Sequence, residues 1–297
     1  MNRKNKCVIL FAIGAVLMFF VPAPARAEDG VAVSQDGTPI AFSVYGEGEP
    51  ALIFVHGWCC NRSVWKTQVP YFEKEYKVVT LDLAGHGASG TERDVYSMEA
   101  FGEDVAAVVR QIQASQIILI GHSMSGGVII EAAEIIPDHV IALIGIDTMQ
   151  DFEETYTPEQ IEEHLKPFRD DFKTTVDSFV RGMFVEGTDP KLMDDVAGMM
   201  SGASQKTGVS AMEEMMKTSY ITDPPHIKVP VWCLNADLWP TKPEVNRKDV
   251  PEFNLRLMPD RGHFIMLEDP DEFNRELDGI IKEIKADVLD EEDGGTI

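Results

Sequence analysis

The chain has 297 residues, with 26 lysines and arginines against 50 aspartates and glutamates, and a formal net charge of −24. Such a negative charge repels nucleic acid and anionic membrane surfaces, so it argues against nucleic-acid binding and against stable attachment to a membrane. A chain of this size can bury about three-quarters of its unfolded surface, which is enough for one large core with an inserted subdomain.

The first 27 residues follow the three-part pattern of a secretory signal peptide. Arg3, Lys4 and Lys6 form a basic start, residues 7–21 form an apolar run, and residues 25–27 (ARA) form a small-x-small cleavage site. The apolar run is short for a membrane span, which needs about 20 residues, so an uncleaved anchor is the weaker interpretation. We therefore expect an exported protein, periplasmic or extracellular, that begins near Glu28 and carries 22 basic against 50 acidic residues.

After this segment, short apolar runs recur in the pattern expected of a buried sheet. Val31–Val33 and Ile40–Tyr45 alternate around Asp36-Gly37, which indicates a strand–turn–strand unit. Fully apolar runs are typical of strands covered on both faces of a parallel sheet. These runs are Ala51–Val55, Lys77–Leu83, Ile117–Ile120, Val140–Ile146 and Val231–Leu234.

Helical patterns alternate with these runs at residues 61–73, 97–113 and 124–136. This alternation predicts an α/β fold, in which helices flank a central and mostly parallel sheet.

The alternation stops after Asp147. Residues 149–226 have helical periodicity and no convincing strand, so they predict a helical lid inserted between the sixth and seventh strands. Helical packing that only stabilises the protein is the alternative. Strands then follow near residues 229–235 and 253–258, and a last helix is expected at 270–286.

The sequence thus predicts five segments. They are the signal peptide (1–27), the first part of the core (28–148), the lid (149–226), the second part of the core (227–288) and an acidic flexible tail (289–297).

Three cysteines follow the expected cleavage site: Cys59, Cys60 and Cys233. An odd number leaves at least one thiol unpaired, and the adjacent Cys59 and Cys60 would form a strained disulfide. Their spacing is not that of a metal site, so we expect three buried small side chains.

A candidate nucleophile lies in the segment IILIGHSMSGG, residues 117–127. Ser123 follows an apolar strand and precedes a helix that starts with small residues, as a nucleophile on a tight strand-to-helix turn requires. Gly121 provides the small residue two positions before, and Ser125 stands at the second small position. Ser125 itself is the weaker nucleophile candidate, because it would shift the turn two residues beyond the end of the strand.

A serine hydroxyl needs a base, and His263 is the best placed of the seven histidines. His263 lies in PDRGHF between the last strand and the last helix, at the same edge of the sheet as Ser123. The base needs a carboxylate, for which Asp237 after VWCLNA is favoured over Asp147 after LIGI on chain order. The oxyanion donors are expected to be the backbone N–H groups of Met124 and Trp58.

These residues, taken together, resemble the α/β-hydrolase superfamily, in its lid-bearing branch of esterases, lactonases and cofactor-free haloperoxidases. The matching segments are FVHGWCCNRSVW, LDLAGHGASG, LIGHSMSGG, VPVWCLNADLWPT and MPDRGHFIMLEDPDEF. The resemblance implies nucleophile Ser123, histidine His263, acid Asp237 and oxyanion donors Trp58 and Met124, with no metal and no organic cofactor. The chain departs from the family at Ser125, where glycine is usual.

The sequence therefore predicts an exported serine hydrolase that cleaves a small to medium carboxylic ester through an acyl-enzyme. A lactonase, a perhydrolase or a carbon–carbon bond hydrolase would use the same residues. A ligand-binding or sensing protein with little turnover is the alternative from another class, because fold alone does not determine function.

Overall fold

The computed structural model describes residues 27–218 and 226–294 of the chain. The predicted signal peptide lies outside these residues, apart from Ala27.

The core is an eight-stranded sheet in the order β1-β2-β4-β3-β5-β6-β7-β8. The first two strands pair antiparallel with their neighbours, and the strands from β4 through β3 to β8 are all parallel. The strands are β1 (Glu28–Val33), β2 (Pro39–Tyr45), β3 (Ala51–Val55), β4 (Val78–Leu81), β5 (Ile117–His122), β6 (Val140–Ile146), β7 (Val231–Ala236) and β8 (Phe253–Met258). The predicted α/β fold with a mostly parallel sheet is confirmed.

The central strands are buried along their whole length, as their apolar sequences require. Every residue of β3 and β5 is buried. Register partners run across the parallel strands at one level. Val55 on β3 pairs with Gly121 on β5, Gly121 pairs with Gly145 on β6, and Gly145 pairs with Cys233 on β7. The carboxyl ends of these strands therefore meet at one edge, which is where ligand sites form in open α/β sheets.

Helices connect the strands and flank the sheet. They are α1 (Val69–Phe72), α2 (Met98–Ile112), α3 (Ser125–Ile135), α4 (Pro158–Asp170), α5 (Phe172–Arg181), α6 (Pro190–Ser201), α7 (Gln205–Lys217), α8 (Pro243–Asn246), α9 (Ile265–Glu268) and α10 (Pro270–Gly294). In α2, the Ser97 hydroxyl caps the first turn by accepting the Ala100 N–H, and Phe101, Val105 and Val108 are buried at helical spacing.

The helical pattern at residues 61–73 forms two short pieces instead of one helix. A 3-10 helix covers Arg62–Trp65, with the Asn61 side chain as its cap, and α1 follows at Val69–Phe72. Pro70 lies in the first turn of α1. Proline has no N–H to donate and restricts the residue before it, so a continuous helix through this position is disfavoured.

Between β6 and β7 the chain forms α4 to α7, which we call the helical insertion (158–217). Its helices start with side-chain caps, including a capping box in which Thr157 and Gln160 each bond the other's backbone. Residues 219–225 of the predicted lid lie outside the described residues.

The last helix is longer than expected. α10 extends over Pro270–Gly294, so the segment predicted as a flexible tail from residue 289 begins inside a helix. Apolar side chains at Phe273, Leu277 and Ile281 are buried and anchor its first turns on the core. Leucine and glutamate are good helix formers and let the helix continue beyond them. In the two described ranges, we find no helix that is long and apolar enough to cross a membrane.

Candidate active site

Ser123 occupies a strained turn between β5 and α3, which we call the elbow. Its φ is +55°, in the left-handed region that costs a non-glycine residue about 1–2 kcal/mol. The Ser123 N–H donates to the Ile146 carbonyl at 3.0 Å, which holds the turn against the end of β6. A Cβ at Gly121 would lie 2.3 Å from the Ser125 carbonyl oxygen, so only glycine fits at that position. The turn places the half-buried Ser123 at the carboxyl edge of the sheet.

Ser125 is fully buried, and its hydroxyl has a partner. Its Oγ donates to the His56 carbonyl oxygen at 2.5 Å, across to the loop that follows β3. The hydroxymethyl group therefore fits within the elbow without disrupting it. Ser125 keeps the turn tight where the family usually has glycine.

His263 forms its side-chain hydrogen bond with Asp147. Its Nδ1–H donates to Asp147 Oδ2 at 2.5 Å, and the Asp147 side chain has no exposed area. The other Asp147 oxygen accepts the Ala236 N–H at 2.9 Å. The favoured partner, Asp237, is exposed and accepts the Asp260 N–H at 3.0 Å instead. The structure thus corrects the predicted pairing with Asp237 and selects the alternative, Asp147.

The register of the sheet explains this correction. The Ser123 N–H bonds to Ile146, and the Asp147 N–H donates to Leu234 on β7 at 3.0 Å. Ser123 and Asp147 therefore end their strands at the same level, whereas Asp237 lies further along the chain beyond β7. Both acids directly follow a strand in the sequence, so only the stagger between neighbouring strands separates them.

A buried amide holds the Asp147 turn. Asp147 has a φ of +45°, and the side chain of Asn235 binds the backbone of the next residue, Thr148. Asn235 Oδ1 accepts the Thr148 N–H at 3.2 Å, and its Nδ2 donates to the Thr148 carbonyl at 2.9 Å. Aspartate tolerates the left-handed region better than most residues, so this position suits an acid that must leave the strand sharply.

The backbone around His263 is held from several sides. The His263 N–H donates to the Met183 carbonyl of the helical insertion at 2.8 Å, and its carbonyl accepts His122 Nε2–H at 2.9 Å. The Glu268 carboxylate accepts the N–H groups of the residues before and after His263, at 2.9 and 3.1 Å. Neither Met183 nor Glu268 was predicted: Met183 lies outside the matching segments, and Glu268 lies within MPDRGHFIMLEDPDEF but takes its role only from the folded loop.

The predicted oxyanion donors lie on either side of Ser123. Met124 is the residue before α3, and Trp58 lies in the loop after β3. A Cβ at Gly57 would be 3.1 Å from Ser123 Cβ, so the loop approaches the elbow closely. Among the residues that the structure describes, the backbone N–H groups of Trp58 and Met124 donate no hydrogen bond to another protein group. Both donors are therefore available to a ligand.

The side chain of Trp58 links this loop to the helical insertion. Its Nε1–H donates to the Gly208 carbonyl of α7 at 2.7 Å. The indole also makes edge contacts with three phenylalanines of the insertion, at ring-centroid distances of 5.7 to 6.2 Å: Phe168, Phe172 and Phe179. The insertion thus contacts the loops that carry Trp58 and His263.

His263 contacts the elbow at His122, the residue before Ser123. The rings of His122 and His263 lie 4.7 Å apart between centroids. Within residues 27–218 and 226–294, the Ser123 hydroxyl itself forms no hydrogen bond. Catalytic hydrogen bonds are often loose without a ligand, so this geometry is compatible with a base that closes on Ser123 in the complex.

Three other histidines near the site are buried and neutral. Burial lowers the pKa of His56 to about 4, and burial together with neighbouring His56 lowers the pKa of His86 to about 3. Burial and the nearby His263 also hold the pKa of His122 well below its usual value. These rings therefore act as hydrogen-bonding groups without charge, since the charged imidazolium would be desolvated.

The cysteines are buried and unpaired, as expected: Cys59, Cys60 and Cys233. Burial raises the pKa of the Cys60 thiol to about 12 and raises those of Cys59 and Cys233 as well. Thiols in this state are poor nucleophiles. No group of histidine, cysteine and acidic side chains in the described part of the chain is arranged to hold a metal ion.

Comparison with known proteins identifies the family. Residues 52–276 match the Alpha/beta hydrolase family, so the chain belongs to it. The branch of esterases, lactonases and haloperoxidases that the motifs resembled is confirmed.

Two curated relatives illustrate this branch. Bifunctional esterase/perhydrolase DCH of Acinetobacter calcoaceticus is 35% identical over 100 residues, which is 33% of this chain and 36% of that protein. The 3-oxoadipate enol-lactonase 2 of Acinetobacter baylyi is 37% identical over 86 residues, 29% of this chain and 32% of that protein. The chain thus matches only about a third of the length of these two relatives.

Among solved structures, an esterase from Thermogutta terrifontis superimposes with a TM-score of 0.75 at 22% identity, covering 88% of this chain and 99% of that one. This likeness shows the fold. The protein is a member of the α/β-hydrolase family, with esterase, lactonase and perhydrolase relatives.

Proposed function

We propose that the protein is an exported serine hydrolase that cleaves a small to medium carboxylic ester through an acyl-enzyme. One observation carries the proposal: Ser123 lies on a left-handed elbow directly after His122, whose ring is 4.7 Å from that of His263, and the His263 Nδ1–H is bonded to the buried Asp147. This hydrogen bond fixes the His263 tautomer, so the Nε2 lone pair is left to accept a proton.

The chemistry follows from these positions. His263 Nε2 takes the Ser123 proton as Oγ attacks the ester carbonyl, and Asp147 stabilises the imidazolium that forms. The tetrahedral oxyanion is held by the N–H groups of Trp58 and Met124, each worth about 2.7–4 kcal/mol in the barrier. His263 then gives the proton to the leaving alcohol. In the second half of the reaction, His263 takes a proton from water as the water attacks the acyl group, and it returns this proton to Ser123 Oγ as the acid leaves.

The test compares purified protein from residue 28 onward with its Ser123→Ala variant. We expect steady-state release of p-nitrophenol from acetate and butyrate esters by the unmodified protein, and a loss of at least about 10³-fold in the variant. Ser43→Ala is the control, because Ser43 is a buried serine on β2 whose hydroxyl donates to Asp29 outside the site. Undiminished turnover by Ser123→Ala would rule out the mechanism, and binding without turnover would instead favour a sensing protein.

Mass spectrometry provides a second, independent readout. Rapid quenching during turnover is expected to trap one acyl group on the peptide that contains Ser123. An acyl group found on a different residue would show that Ser123 is not the nucleophile.

A lactone substrate is the second candidate, supported by the similarity to the enol-lactonase. The same residues open a lactone, since the leaving alcohol then stays attached to the acyl group. Comparing kcat/KM for γ- and δ-lactones with that for the open-chain esters separates the two.

Export is proposed on the basis of the N-terminal pattern. N-terminal sequencing of protein recovered from the extracellular or periplasmic fraction is expected to start at Glu28. A start at Met1 in the cytoplasmic fraction would contradict export.

A further inference from the structure

The feature that supports a further inference is Ser125, the departure from the usual glycine. Its hydroxyl lies within the elbow helix and donates to the His56 carbonyl of the β3 loop at 2.5 Å. Both residues are fully buried, so this bond is shielded from water. It joins the segment that carries Met124 to the segment that carries Trp58.

The peptide that carries the Trp58 N–H is held by a second set of bonds. The Gly57 carbonyl accepts His56 Nδ1–H at 2.8 Å and the Cys60 N–H at 3.2 Å. Because a peptide unit is planar and trans, the Gly57 carbonyl and the Trp58 N–H point in opposite directions from one rigid plane. Fixing the carbonyl therefore fixes the direction of the Trp58 N–H.

The His56 ring is itself held in one orientation. Its Nε2 accepts the Leu83 N–H at 3.1 Å, so Nδ1 must carry the proton that goes to Gly57. The loop also contains Cys59 at a φ of +55°, a left-handed conformation that persists only where surrounding contacts enforce it.

The loop is pressed against the elbow at the same place. A Cβ at Gly57 would lie 2.8 Å from His122 Nδ1 and 3.1 Å from Ser123 Cβ. The close approach sets how near the loop can come, and the Ser125–His56 bond prevents it from moving away. The distance between the two oxyanion donors is thus set from both sides.

We propose that Ser125 is a positioning residue: with His56, it aims the Trp58 N–H at the oxyanion and keeps it in register with the Met124 N–H. The inference rests on the proposed function, since it concerns the oxyanion of the same reaction. Ser125 touches neither substrate nor reacting atoms, and it acts through the His56 carbonyl.

This role predicts a specific kinetic signature. An oxyanion forms only in the tetrahedral transition state, so a misdirected donor lowers kcat and leaves KM nearly unchanged. Complete loss of one donor costs about 10²–10³-fold in kcat, and a donor that is present but misdirected costs part of this. We expect a decrease of about tenfold to a hundredfold in Ser125→Ala and Ser125→Gly.

The experiment measures kcat, KM and the inhibition constant of a phenylboronic acid, which forms a tetrahedral adduct with the serine. In Ser125→Ala and Ser125→Gly, affinity for the boronate is expected to weaken in proportion to the decrease in kcat. Ser125→Cys keeps the shape and a weak S–H donor, so its kcat is expected to lie between those of Ser125→Ala and the unmodified protein.

Ser43→Ala is the matched control. Ser43 is buried on β2, and its Oγ donates to Asp29 Oδ1 at 2.6 Å, so the variant removes a hydrogen bond of a buried serine away from the loop that carries Trp58. We expect Ser43→Ala to leave kcat and boronate affinity unchanged.

The outcomes separate this inference from the proposed function. If Ser123→Ala is inactive but the Ser125 variants keep kcat within twofold, only the positioning role is wrong. A change in KM alone, or an equal loss of kcat in Ser43→Ala, also overturns it. If the unmodified protein neither turns over esters nor binds the boronate, the proposed function fails as well.

Discussion

Replacing Asp147 by asparagine tests the pairing that the structure selected. Asparagine can still accept the Ala236 N–H with its oxygen, which leaves its NH₂ group facing His263 Nδ1. A donor there requires Nδ1 to be unprotonated, so the proton moves to Nε2 and the ring can no longer accept from Ser123. The variant is therefore expected to fold normally and to hold the base in the wrong tautomer.

The magnitude follows from burial and distance. Asp147 and His263 are bonded at 2.5 Å, and the side chains are 0% and 7% exposed, so solvent screens the pair weakly. Two charges at about 4 Å and an effective dielectric constant of about 20 interact by about 4 kcal/mol, which is nearly a factor of 10³ in rate. With the tautomer effect added, we expect kcat to decrease by about 10³–10⁴-fold.

Asp237→Asn is the matched control, since the two acids each follow a strand and differ in burial. The exposed Asp237 accepts one N–H from Asp260, a contact that asparagine can keep through its oxygen. Initial rates of p-nitrophenyl acetate hydrolysis, with melting temperatures for both variants, provide the comparison. A decrease of more than tenfold in Asp237→Asn together with near-normal Asp147→Asn would refute the reasoning.

Three more predictions concern charged or polar groups that are buried or half-buried. Glu268→Gln removes one of two acceptors beside His263, so kcat is expected to fall about tenfold at unchanged KM in steady-state assays; a rise in KM alone would contradict this. The pKa of His86 in the folded protein is lowered to about 3. As the pH falls below about 6.5, His86 is therefore protonated in the unfolded state and stays neutral in the folded state. The free energy of unfolding from urea titrations should thus decrease by about 2 kcal/mol more between pH 7 and 5 in the unmodified protein than in His86→Gln, and equal slopes would contradict the assignment. Arg93→Met leaves the buried Asp104 carboxylate without its bidentate partner, so the free energy of unfolding should fall by about 3–5 kcal/mol with kcat unchanged; a loss below about 1 kcal/mol would contradict it.

Much of the fold could be predicted because the strands have simple sequences. Runs such as Ala51–Val55 and Val140–Ile146 are apolar throughout, and only a strand covered on both faces satisfies such a run between turn signals. The elbow at Ser123 was equally clear, since small residues must surround a side chain that leaves the sheet so sharply.

The predictions that were wrong had both distant and local causes. Asp147 and Asp237 have the same local signal, and only the stagger of β6 against β7 decides which of them reaches His263. The helical pattern at 61–73 is interrupted by the local effect of Pro70, which the apolar periodicity does not show. The final helix ran past residue 289 because helix-forming side chains can extend a helix that is already anchored.

The roles of Glu268 and Ser125 could not be predicted either, because their hydrogen-bond partners are backbone groups. Glu268 is five residues beyond His263, and only the folded turn brings its carboxylate to the two flanking N–H groups. Ser125 was recognised as a small residue, but its partner is a backbone carbonyl about 70 residues earlier, which no side-chain pattern marks.

Two hydrogen bonds join the helical insertion to the loops of the candidate site. The His263 N–H donates to the Met183 carbonyl between α5 and α6, and the Trp58 indole donates to the Gly208 carbonyl of α7. A movement of the insertion at the first point would displace the imidazole, and a movement at the second would displace the loop that carries the Trp58 N–H. In the proposed reaction, the position of the insertion therefore sets the alignment of both the base and one oxyanion donor.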